Sequence, residues 1–259
     1  MKITVVTPSF NQGRFIRRTV ESVLAQQGDF ELEYLVVDGG STDETLAVLR
    51  EYDGRIRVIS EPDRGQSDAI NKGVRLTTGE VLGWLNSDDT YAPGALQAVA
   101  ETLRVTGPRW CFGECRVIDE QDREIRRTVS RYKSWASRRY SLRRLFSSNF
   151  IPQPATFFRR DILEEAGPID ESLRYAMDYD LWLRLARLAP PAFVPRPLAS
   201  FRWHSASKTG AQYRRGAWEC FQLARRRARG GAEHAAVALH AVHYVGQMAA
   251  YRVMDLLSR

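Results

Sequence analysis

Cysteine is scarce in this sequence, and the few thiols cannot form a covalent framework. The 259 residues include only three cysteines, Cys111, Cys115 and Cys220. If Cys111 and Cys115 lie on one strand, their Cα atoms are about 13 Å apart, which is too far for a disulfide. A small secreted scaffold held by disulfides is therefore excluded, and we expect a reducing compartment.

Two glycine-rich phosphate-binding motifs are also missing. No G-x-G-x-x-G follows any predicted strand, and no G-x-x-x-x-G-K is present. A dinucleotide-binding Rossmann domain and a P-loop nucleotidase are thereby excluded. A phosphate ligand must be held in another way, and a divalent cation is the natural way.

Neither a leader nor a long apolar run is found. The chain begins MKITVVTP, so we expect no secretory signal and a cytosolic protein. The tail segment 235–251 has no charged residue, but it is only 17 residues long and contains His240, His243 and Gln247. A membrane-spanning helix is therefore not expected.

Acidic residues are nearly absent from one part of this basic chain. The net charge is +7, and residues 123–144 carry nine Lys or Arg against one acid, Glu124. Such a segment suits an anionic lipid or a phosphorylated substrate, and a simple solvated basic face is the alternative. Because no nucleic-acid-binding motif accompanies it, we expect no nucleic-acid partner.

Strand and helix patterns alternate through the first half of the chain. Apolar runs predict strands at 3–6, 34–37, 56–59 and 81–85. Amphipathic patterns predict helices at 13–27, 44–52 and 67–76. This order favours an α/β class with a Rossmann-like, mostly parallel sheet and helices on both faces. Beyond residue 107 the alternation ends, and strands are predicted at 110–118, 124–129 and 156–158.

Small polar and acidic residues follow each of the first four strands. The fourth strand ends in Asn86, Ser87, Asp88 and Asp89. Because the carboxyl ends of parallel strands meet at one sheet edge, we expect a lined crevice there. Oxygen ligands of this kind suit a hard divalent cation that also binds substrate phosphates. The alternative is that Asp88 and Asp89 only cap the following helix.

These polar segments form a recognisable series. They read TPSFNQGRFIRRTVESVLAQ at 7–26, VVDGGSTDET at 36–45, EPDRGQSDAINKG at 61–73 and GWLNSDD at 83–89. Together with IPQPATFFRR at 151–160 and AMDYDLWLRLA at 176–186, the series resembles family 2 of the inverting glycosyltransferases. The resemblance implies a GT-A fold and transfer of a sugar from a nucleotide-sugar donor.

The resemblance also implies roles for individual residues in the first half. Asp38 and Asp63 would address the base and ribose, and Asn86 occupies the first position of the family's D-x-D motif. Asp88 would then be the ligand of Mn²⁺ or Mg²⁺. The nucleotide-binding residues implied in this way are Thr7, Pro8, Ser9, Asn11, Asp38, Asp63, Gln66, Asn86 and Ser87. Because Asn86 replaces an Asp, one negative charge is missing from this site. A neutral amide can still accept or donate a hydrogen bond to ribose or a metal-bound water, but it attracts a cation less strongly.

In the second half, the segment Met177-Asp178-Tyr179-Asp180 resembles the family's Glu-Asp-x-Asp motif, so Asp178 inherits the role of catalytic base. Residues at i and i+2 point to different sides of a helix, so only one of the two carboxylates should face the crevice. A late His in many GT-A enzymes implies that His204 reaches the cation or the diphosphate, with Lys208 assisting.

The acceptor half of the resemblance points to Gln153 and Trp135 as acceptor-binding residues, although aromatic residues at such spacings are more often part of a core. We expect three parts: a nucleotide-sugar half at 1–108, an acceptor and base half at 109–209 of the same domain, and a basic helical appendage at 210–259.

The expected activity is metal-dependent transfer, with inversion, from a nucleotide sugar to the hydroxyl of a lipid-linked or growing surface polysaccharide. By family frequency the expected donor is a UDP-sugar. A catalytically silent module that binds a nucleotide sugar or polyanion is the alternative, because Asn86 and Met177 depart from the family pattern. The tail carries Arg225, Arg226, Arg227 and Arg229 with Trp218 and Phe221, which suits peripheral contact with the anionic inner face of the plasma membrane. Packing of the tail on the domain, or on a second subunit in a homodimer, is equally open.

Overall fold

A computed structural model describes residues 1–204 and 207–257, with the side chains of 208–211 and 247–257 left aside. In this part of the chain nine strands join one sheet, in the order β3-β2-β1-β4-β8-β6-β9-β5 with β7 beside β6. The strands are β1 (Lys2–Ser9), β2 (Glu31–Asp38), β3 (Arg57–Ser60), β4 (Val81–Trp84), β5 (Thr90–Tyr91), β6 (Trp110–Ile118), β7 (Glu124–Ile125), β8 (Thr156–Arg159) and β9 (Ala192–Arg202).

Helices connect most of these strands. They are α1 (Gly13–Leu24), α2 (Thr45–Arg50), α3 (Gln66–Arg75), α4 (Ala95–Thr102), α5 (Arg127–Ser137), α6 (Leu142–Ser147), α7 (Arg160–Ala166), α8 (Met177–Leu188), α9 (Lys208–Arg227) and α10 (Gly230–Leu257). A short 3₁₀ turn, Gln153–Ala155, precedes β8. The predicted alternation in the first half and the break after residue 107 are both confirmed.

The first four strands form the parallel part of the sheet. β1 pairs in parallel with β2 and β4, and β2 pairs in parallel with β3. The acceptor half extends this sheet with β8, which lies antiparallel to both β4 and β6, and with β9, which lies parallel to β6. The α/β class is confirmed, and the parallel strands whose polar ends meet lie in the first half.

Two apolar cores cover the two faces of the sheet. Val6, Leu35 and Val37 belong to one core, whereas Val5 and Val36 belong to the other. Successive strand residues point to opposite faces, so a run of apolar residues in a strand serves both cores. This explains why β1 and β2 read as continuous apolar runs and confirms helices on both faces of the sheet.

One predicted strand is wrong. The segment 124–129 was expected to be extended, but β7 stops at Ile125 and α5 begins at Arg127. Arg126 lies between them with φ 51°, in the left-handed region, which ends the strand ladder. In contrast, the strand predicted at 110–118 has those bounds in the structure.

The tail forms two helices, with the predicted break just before Gly230. Helix α10 packs on α6, and the Nδ1 atoms of His240 and His243 lie 3.0 and 2.8 Å from the carbonyl oxygens of Phe146 and Ser147. Among the described residues no helix is long and apolar enough to cross a bilayer. The division at 108 and 209 stays a prediction, and one sheet runs through both halves.

Candidate functional site

The ends of the first strands meet at one edge of the sheet. Ser9 at the end of β1 is paired in register with Asp38 at the end of β2, and Asp38 is paired with Ser60 at the end of β3. Pro8 lies one residue before the end of β1, and the last residue of β1 that pairs with β4 is Val6. Because Pro8 lies beyond that pair, its lack of an N–H removes no hydrogen bond between β1 and β4. The strand-end residues therefore come together as the sequence predicted.

Asp38 organises this edge from a buried position. Its side chain is 0% exposed and accepts hydrogen bonds from the backbone N–H of Gly40 at 3.1 Å and of Ser41 at 2.9 Å. The hydroxyls of Ser41 and Ser60 donate at 2.5 and 2.7 Å. Three of these bonds end on Oδ2 and one on Oδ1, so Oδ1 keeps an acceptor position. Asp38 thus shapes the loop that follows β2, and its direct contact with a nucleotide stays a prediction.

Neighbouring residues tie the loops after β1 and β2 together. The Ser41 hydroxyl accepts from the Asn11 N–H at 2.8 Å, and the Asn11 side-chain oxygen accepts from the Thr42 N–H at 2.8 Å. Asn11 itself takes φ 51°, a conformation that Asn tolerates better than most residues. Thr7 is fully buried, with its hydroxyl 3.1 Å from that of Tyr34.

Two further predicted nucleotide residues border the open crevice. The Ser9 hydroxyl is buried and has no hydrogen-bond partner among the described residues. Asp63 is half-buried and accepts from the Gly65 N–H at 2.7 Å. A Cβ added at Gly39 would lie 2.7 Å from Asp63 Oδ2, so the loop after β2 approaches the Asp63 side chain closely. Ser9 and Asp63 retain unused hydrogen-bonding capacity for a ligand.

Asn86 is the centre of a closed amide network. Its side-chain oxygen accepts from Gln66 Nε2 at 2.6 Å, and its Nδ2 donates to Asp89 Oδ2 at 3.2 Å and to Gln153 Oε1 at 2.9 Å. Gln153 Nε2 in turn donates to the carbonyl of Trp84 at 2.8 Å. Both amide hydrogens of Asn86 are therefore used within the protein. Contact of this amide with ribose or a metal-bound water stays a prediction.

Asp88 and Asp89 face different surroundings. Asp88 Oδ2 lies 3.0 Å from His204 Nε2, and His204 is 5% exposed with its ring 4.8 Å from that of Phe15. Asp89 is 0% exposed, and its Oδ1 accepts from the Arg202 N–H at 2.8 Å. Burial, reinforced by the charge of Asp88, raises the pKa of Asp89 well above its usual range. Ser87 lies between Asn86 and Asp88 and is 4% exposed.

Arg202 holds this cluster in place, and sequence analysis missed it. Its side chain is 0% exposed, and it donates from Nε to the carbonyl of Asp88 at 2.8 Å and from Nη1 to that of Asp119 at 2.7 Å. It also pairs with Asp122 at 2.5 Å. The sequence signal for Arg202 was its position two residues before His204, near the end of a strand. Residues i and i+2 of a strand point to the same face of the sheet.

The two carboxylates at the start of α8 are separated as predicted. Asp180 is 0% exposed and bonded to Arg184 Nε and Arg227 Nε, both at 2.8 Å. Asp178 is half-buried, and its Oδ1 accepts from the Tyr179 N–H at 2.7 Å. Asp180 is therefore committed to a structural ion-pair cluster, and Asp178 is the carboxylate without a cation bonded to it among the described residues.

Burial also tunes Asp178. Loss of solvent raises the pKa of Asp178 to about 6, and this rise is opposed by the Tyr179 N–H, by the positive charge of Lys133 and by hydrogen bonding from Asn149. Asn149 Oδ1 is buried with no partner among the described residues. A carboxylate with a pKa near 6 is ionised at neutral pH yet basic enough to accept a proton in a reaction. Lys133 and Asn149 were not singled out from the sequence.

Helix α3 brings this carboxylate to the crevice. Its first residue, Gln66, donates to Asn86, and the next, Ser67, donates from its hydroxyl to the sulfur of Met177 at 2.8 Å. Met177 directly precedes Asp178. The consecutive side chains of Gln66 and Ser67 therefore contact Asn86 and the first residue of α8. The Met177 departure thus has a local partner in Ser67.

The two predicted acceptor residues are not neighbours. Gln153 belongs to the Asn86 network at the edge of the sheet. Trp135 lies on the outer face of α5, with 48% of its surface exposed, stacked on Tyr132. Lys133, which acts on Asp178, lies two residues away and so on the opposite side of this helix. The Lys208 side chain is outside the described residues.

A divalent cation would find an incomplete ligand set in the protein alone. Among the described residues no group of three or more His, Cys, Asp or Glu could hold an ion. However, Asp88 Oδ2 and His204 Nε2 are 3.0 Å apart, which matches the separation of two adjacent ligands about 2.1 Å from an octahedral ion. The pair fits a cation that takes its other ligands from waters and substrate phosphates.

The mixed α/β sheet with polar residues at the ends of its parallel strands is the arrangement of a GT-A glycosyltransferase. The sequence profile of Glycosyl transferase family 2 matches residues 4–167, and the chain belongs to this family. An uncharacterized glycosyltransferase of Mycobacterium tuberculosis is 32% identical over 205 residues, which cover 77% of this chain and 74% of the relative. An uncharacterized glycosyltransferase from Rickettsia prowazekii is 28% identical over 215 residues, which cover 80% of this chain and 65% of the relative.

Solved structures share the fold at low sequence identity. Staphylococcus aureus TarS residues 1–349, in complex with UDP-GlcNAc, matches with a TM-score of 0.69 and 18% identity, over 90% of this chain and 69% of that one. The mannosyltransferase PcManGT of Pyrobaculum calidifontis, in complex with GDP-Man and Mn²⁺, matches with a TM-score of 0.67 and 18% identity. The match covers 98% of this chain and 80% of that one. In another TarS structure the match covers only 39% of that protein's chain.

Proposed function

We propose that this chain transfers a sugar from a UDP-sugar to an acceptor hydroxyl with inversion at the anomeric carbon. Family membership supports sugar transfer, and structures of the same fold were solved with UDP-GlcNAc and with GDP-Man and Mn²⁺. The observation that carries the proposal is Asp178, a half-buried carboxylate with a pKa of about 6 beside a crevice of polar strand ends. Asp178 removes the acceptor proton as the hydroxyl attacks.

The donor occupies the edge formed by β1, β2 and β4. The unpartnered Ser9 hydroxyl and the carboxylate of Asp63 offer hydrogen bonds to the nucleoside, in a loop framework set by Asn11 and Asp38. Asp88 and His204 would hold Mn²⁺ or Mg²⁺. That cation supplies charge neutralisation of the leaving diphosphate.

The acceptor approaches from the side of α5 and α8. Gln153 is fixed by Asn86 and by the Trp84 carbonyl, so it can orient an acceptor hydroxyl with little loss of side-chain entropy. A lipid-linked or growing surface polysaccharide is the acceptor class that we propose, at the cytoplasmic face of a membrane. The basic segment 123–144 supports such an acceptor.

The test is a thermal-shift panel of UDP, GDP, CDP and ADP, each with and without Mn²⁺ or Mg²⁺, followed by release of UDP from UDP-sugars. A ligand that binds only the folded state raises the midpoint of unfolding. We expect UDP with a cation to give the largest rise, and UDP-sugar hydrolysis to be detectable. Cation-dependent binding without hydrolysis or transfer would instead favour a silent nucleotide-sugar-binding module. No stabilisation by any nucleotide would refute both.

A further inference from the structure

Helix α5 carries aromatic side chains on the face that looks away from the sheet. Tyr132 and Trp135 each leave 48% of their surface exposed, and their rings stack with centroids 6.2 Å apart. The helix packs inward on another side through Ala136 and Ser137, which are 1% and 3% exposed. The aromatic pair is therefore outside the core.

Arginines surround this aromatic pair. The guanidinium carbons of Arg139 and Arg144 lie 4.9 and 5.1 Å from the centroid of the Trp135 ring. Arg131 lies on the exposed side of the same helix, and Arg143 is exposed at the start of α6. We call this area the α5–α6 surface. It comprises Arg131, Tyr132, Trp135, Arg139, Arg143 and Arg144.

The charge of the surface is not compensated by nearby acids. Residues 127–144 contain seven Lys or Arg and no Asp or Glu. Arg127 pairs with Glu124 at 3.7 Å and Arg138 with Glu114 at 3.2 Å, but the four arginines of the α5–α6 surface make no ion pair with a described residue. Uncompensated cations on one face attract an anionic surface over about a Debye length.

Exposed aromatic rings beside arginines indicate what kind of partner binds this surface. A soluble polyanion needs only the cations, whereas exposed Trp and Tyr rings lose solvent only against a partly apolar partner. Trp, Tyr and Arg together suit the head-group region of a bilayer, where the ring enters the interface and the guanidinium contacts phosphate. Anionic phospholipid adds about 1 kcal/mol for each basic residue near it.

The tail offers a weaker surface for the same partner. Trp218 is 46% exposed, but its ring packs on Phe221 at 5.5 Å and on Tyr244 at 5.7 Å. These contacts hold the ring within the α9–α10 pair. The α5–α6 surface is also connected to the chemistry, because Tyr179, next to Asp178, donates from its hydroxyl to the carbonyl of Leu145 in α6 at 2.6 Å.

We propose that the α5–α6 surface docks this protein on a bilayer containing anionic phospholipid. The contact is peripheral and salt-dependent, with Trp135 and Tyr132 in the interface and the exposed Arg131, Arg139 and Arg143 on lipid phosphates. Its purpose rests on the proposed function, since docking would bring Asp178 to a lipid-linked acceptor. The docking itself does not depend on that function.

Vesicle flotation tests the proposal with the full chain. Vesicles of phosphatidylglycerol and phosphatidylcholine are compared with vesicles of phosphatidylcholine alone, at low and high salt. The variants are Y132A/W135A and R139Q/R143Q, and the charge-matched control is R225Q/R226Q on the exposed side of α9. The midpoint of thermal unfolding of each variant, measured without ligand, checks that it is folded.

We expect binding to the anionic vesicles only, weakened by salt. Each arginine removed from the surface should lower partitioning about fivefold, so R139Q/R143Q should lose about 25-fold. Y132A/W135A should also lose binding, and R225Q/R226Q should bind like the parent. A soluble polyphosphate chain should compete only weakly.

Other outcomes overturn the proposal in distinct ways. Equal binding by parent and Y132A/W135A, with strong competition by polyphosphate, would mean that the surface binds soluble polyanions. Loss of binding in R225Q/R226Q would place the contact on the tail. Absence of vesicle binding, with UDP-sugar hydrolysis intact, would refute docking and leave the proposed function standing.

Discussion

Replacement of Asp178 by Asn separates the chemistry of this residue from its cost to the fold. The variant keeps the shape and can still accept from the Tyr179 N–H. Its new amide hydrogens can donate to Asn149 Oδ1, which is buried without a partner among the described residues. The change therefore removes basicity and charge without leaving an obvious unsatisfied group.

The pKa of Asp178 fixes the expected effect on stability. Burial raises this pKa from 3.8 to about 6, so the folded state binds the proton more tightly than the unfolded state does. The stabilising contribution of this proton to the free energy of unfolding is fully present below pH 3.8 and is lost as the pH rises through about 6. The difference corresponds to at most about 3 kcal/mol at pH 7 or above. D178N should therefore be more stable than the parent by up to that amount at pH 7.5 and should approach it near pH 4.

D178N should lose activity although it gains stability. UDP and cation binding should survive, while UDP-sugar turnover falls by roughly 10²–10⁴-fold, the usual size of a general-base contribution. In the parent, turnover should decline as the pH falls through about 6, because Asp178 becomes protonated. The assays are UDP release across this pH range and urea unfolding at the same pH values.

Asp180 provides the matched control on the same helix. D180N also removes one negative charge, but it leaves the partly buried Arg184 and the half-exposed Arg227 without their carboxylate. Breaking a buried pair from one side costs about 3 kcal/mol or more. We expect lower stability and nearly normal turnover at a temperature where D180N is folded. A larger kinetic loss in D180N than in D178N, with both folded and binding UDP, would identify Asp180 as the base and refute the assignment.

Three further changes test the crevice. D88A should abolish the extra stabilisation that Mn²⁺ gives to UDP binding and leave the fold intact, as measured by thermal shift. K133Q removes a charge that lowers the pKa of Asp178, so the acid limb of the turnover profile should move to higher pH. N86D loses two amide donations and adds a carboxylate beside Asp89, so urea unfolding should show a loss of about 2 kcal/mol at pH 7.

Each of these expectations has a clear opposite. Equal cation-dependent stabilisation by UDP in D88A and the parent would remove Asp88 from the metal site. An unchanged acid limb in K133Q, or the same shift in R131Q on the outer face of α5, would exclude an effect of Lys133 on the base. Unaltered stability in N86D would mean that the amide network around Asn86 contributes little.

Local patterns predicted most of the framework correctly. The apolar periodicity of the first half gave the βα order, and the bounds of β6 match the prediction from residue 110 to 118. That only one of Asp178 and Asp180 should face the crevice followed from the turn of about 200° between residues i and i+2 on a helix. The choice of Asp178 came from the resemblance to the family motif and stays a prediction. The strand–helix change at Arg126 was missed because one residue in the left-handed region reverses an otherwise extended pattern.

The polar network of the site could not be predicted, because its partners are distant in sequence. Asn86 meets Gln66, 20 residues before it, and Gln153, 67 residues after it. Arg202 reaches Asp89 across 113 residues. Periodicity reports which side of an element is buried, but it does not report which side chain of another element lies opposite. Long-range hydrogen bonds of this kind are set only when the sheet has assembled.

The amide at position 86 is consistent with its surroundings in a way that a carboxylate would not be. Asp89 is fully buried beside Asp88, and burial already raises its pKa well above the usual range. A third carboxylate at position 86 would have to donate where it can only accept, and it would add repulsion to both neighbours. Asn instead donates to Asp89 and to Gln153 and keeps the loop closed. The consequence for a cation is that Asp88 and His204 offer one formal charge between them when His204 is neutral. More of the attraction must then come from the diphosphate of the donor, so we expect cation and nucleotide to bind this crevice together rather than in separate steps.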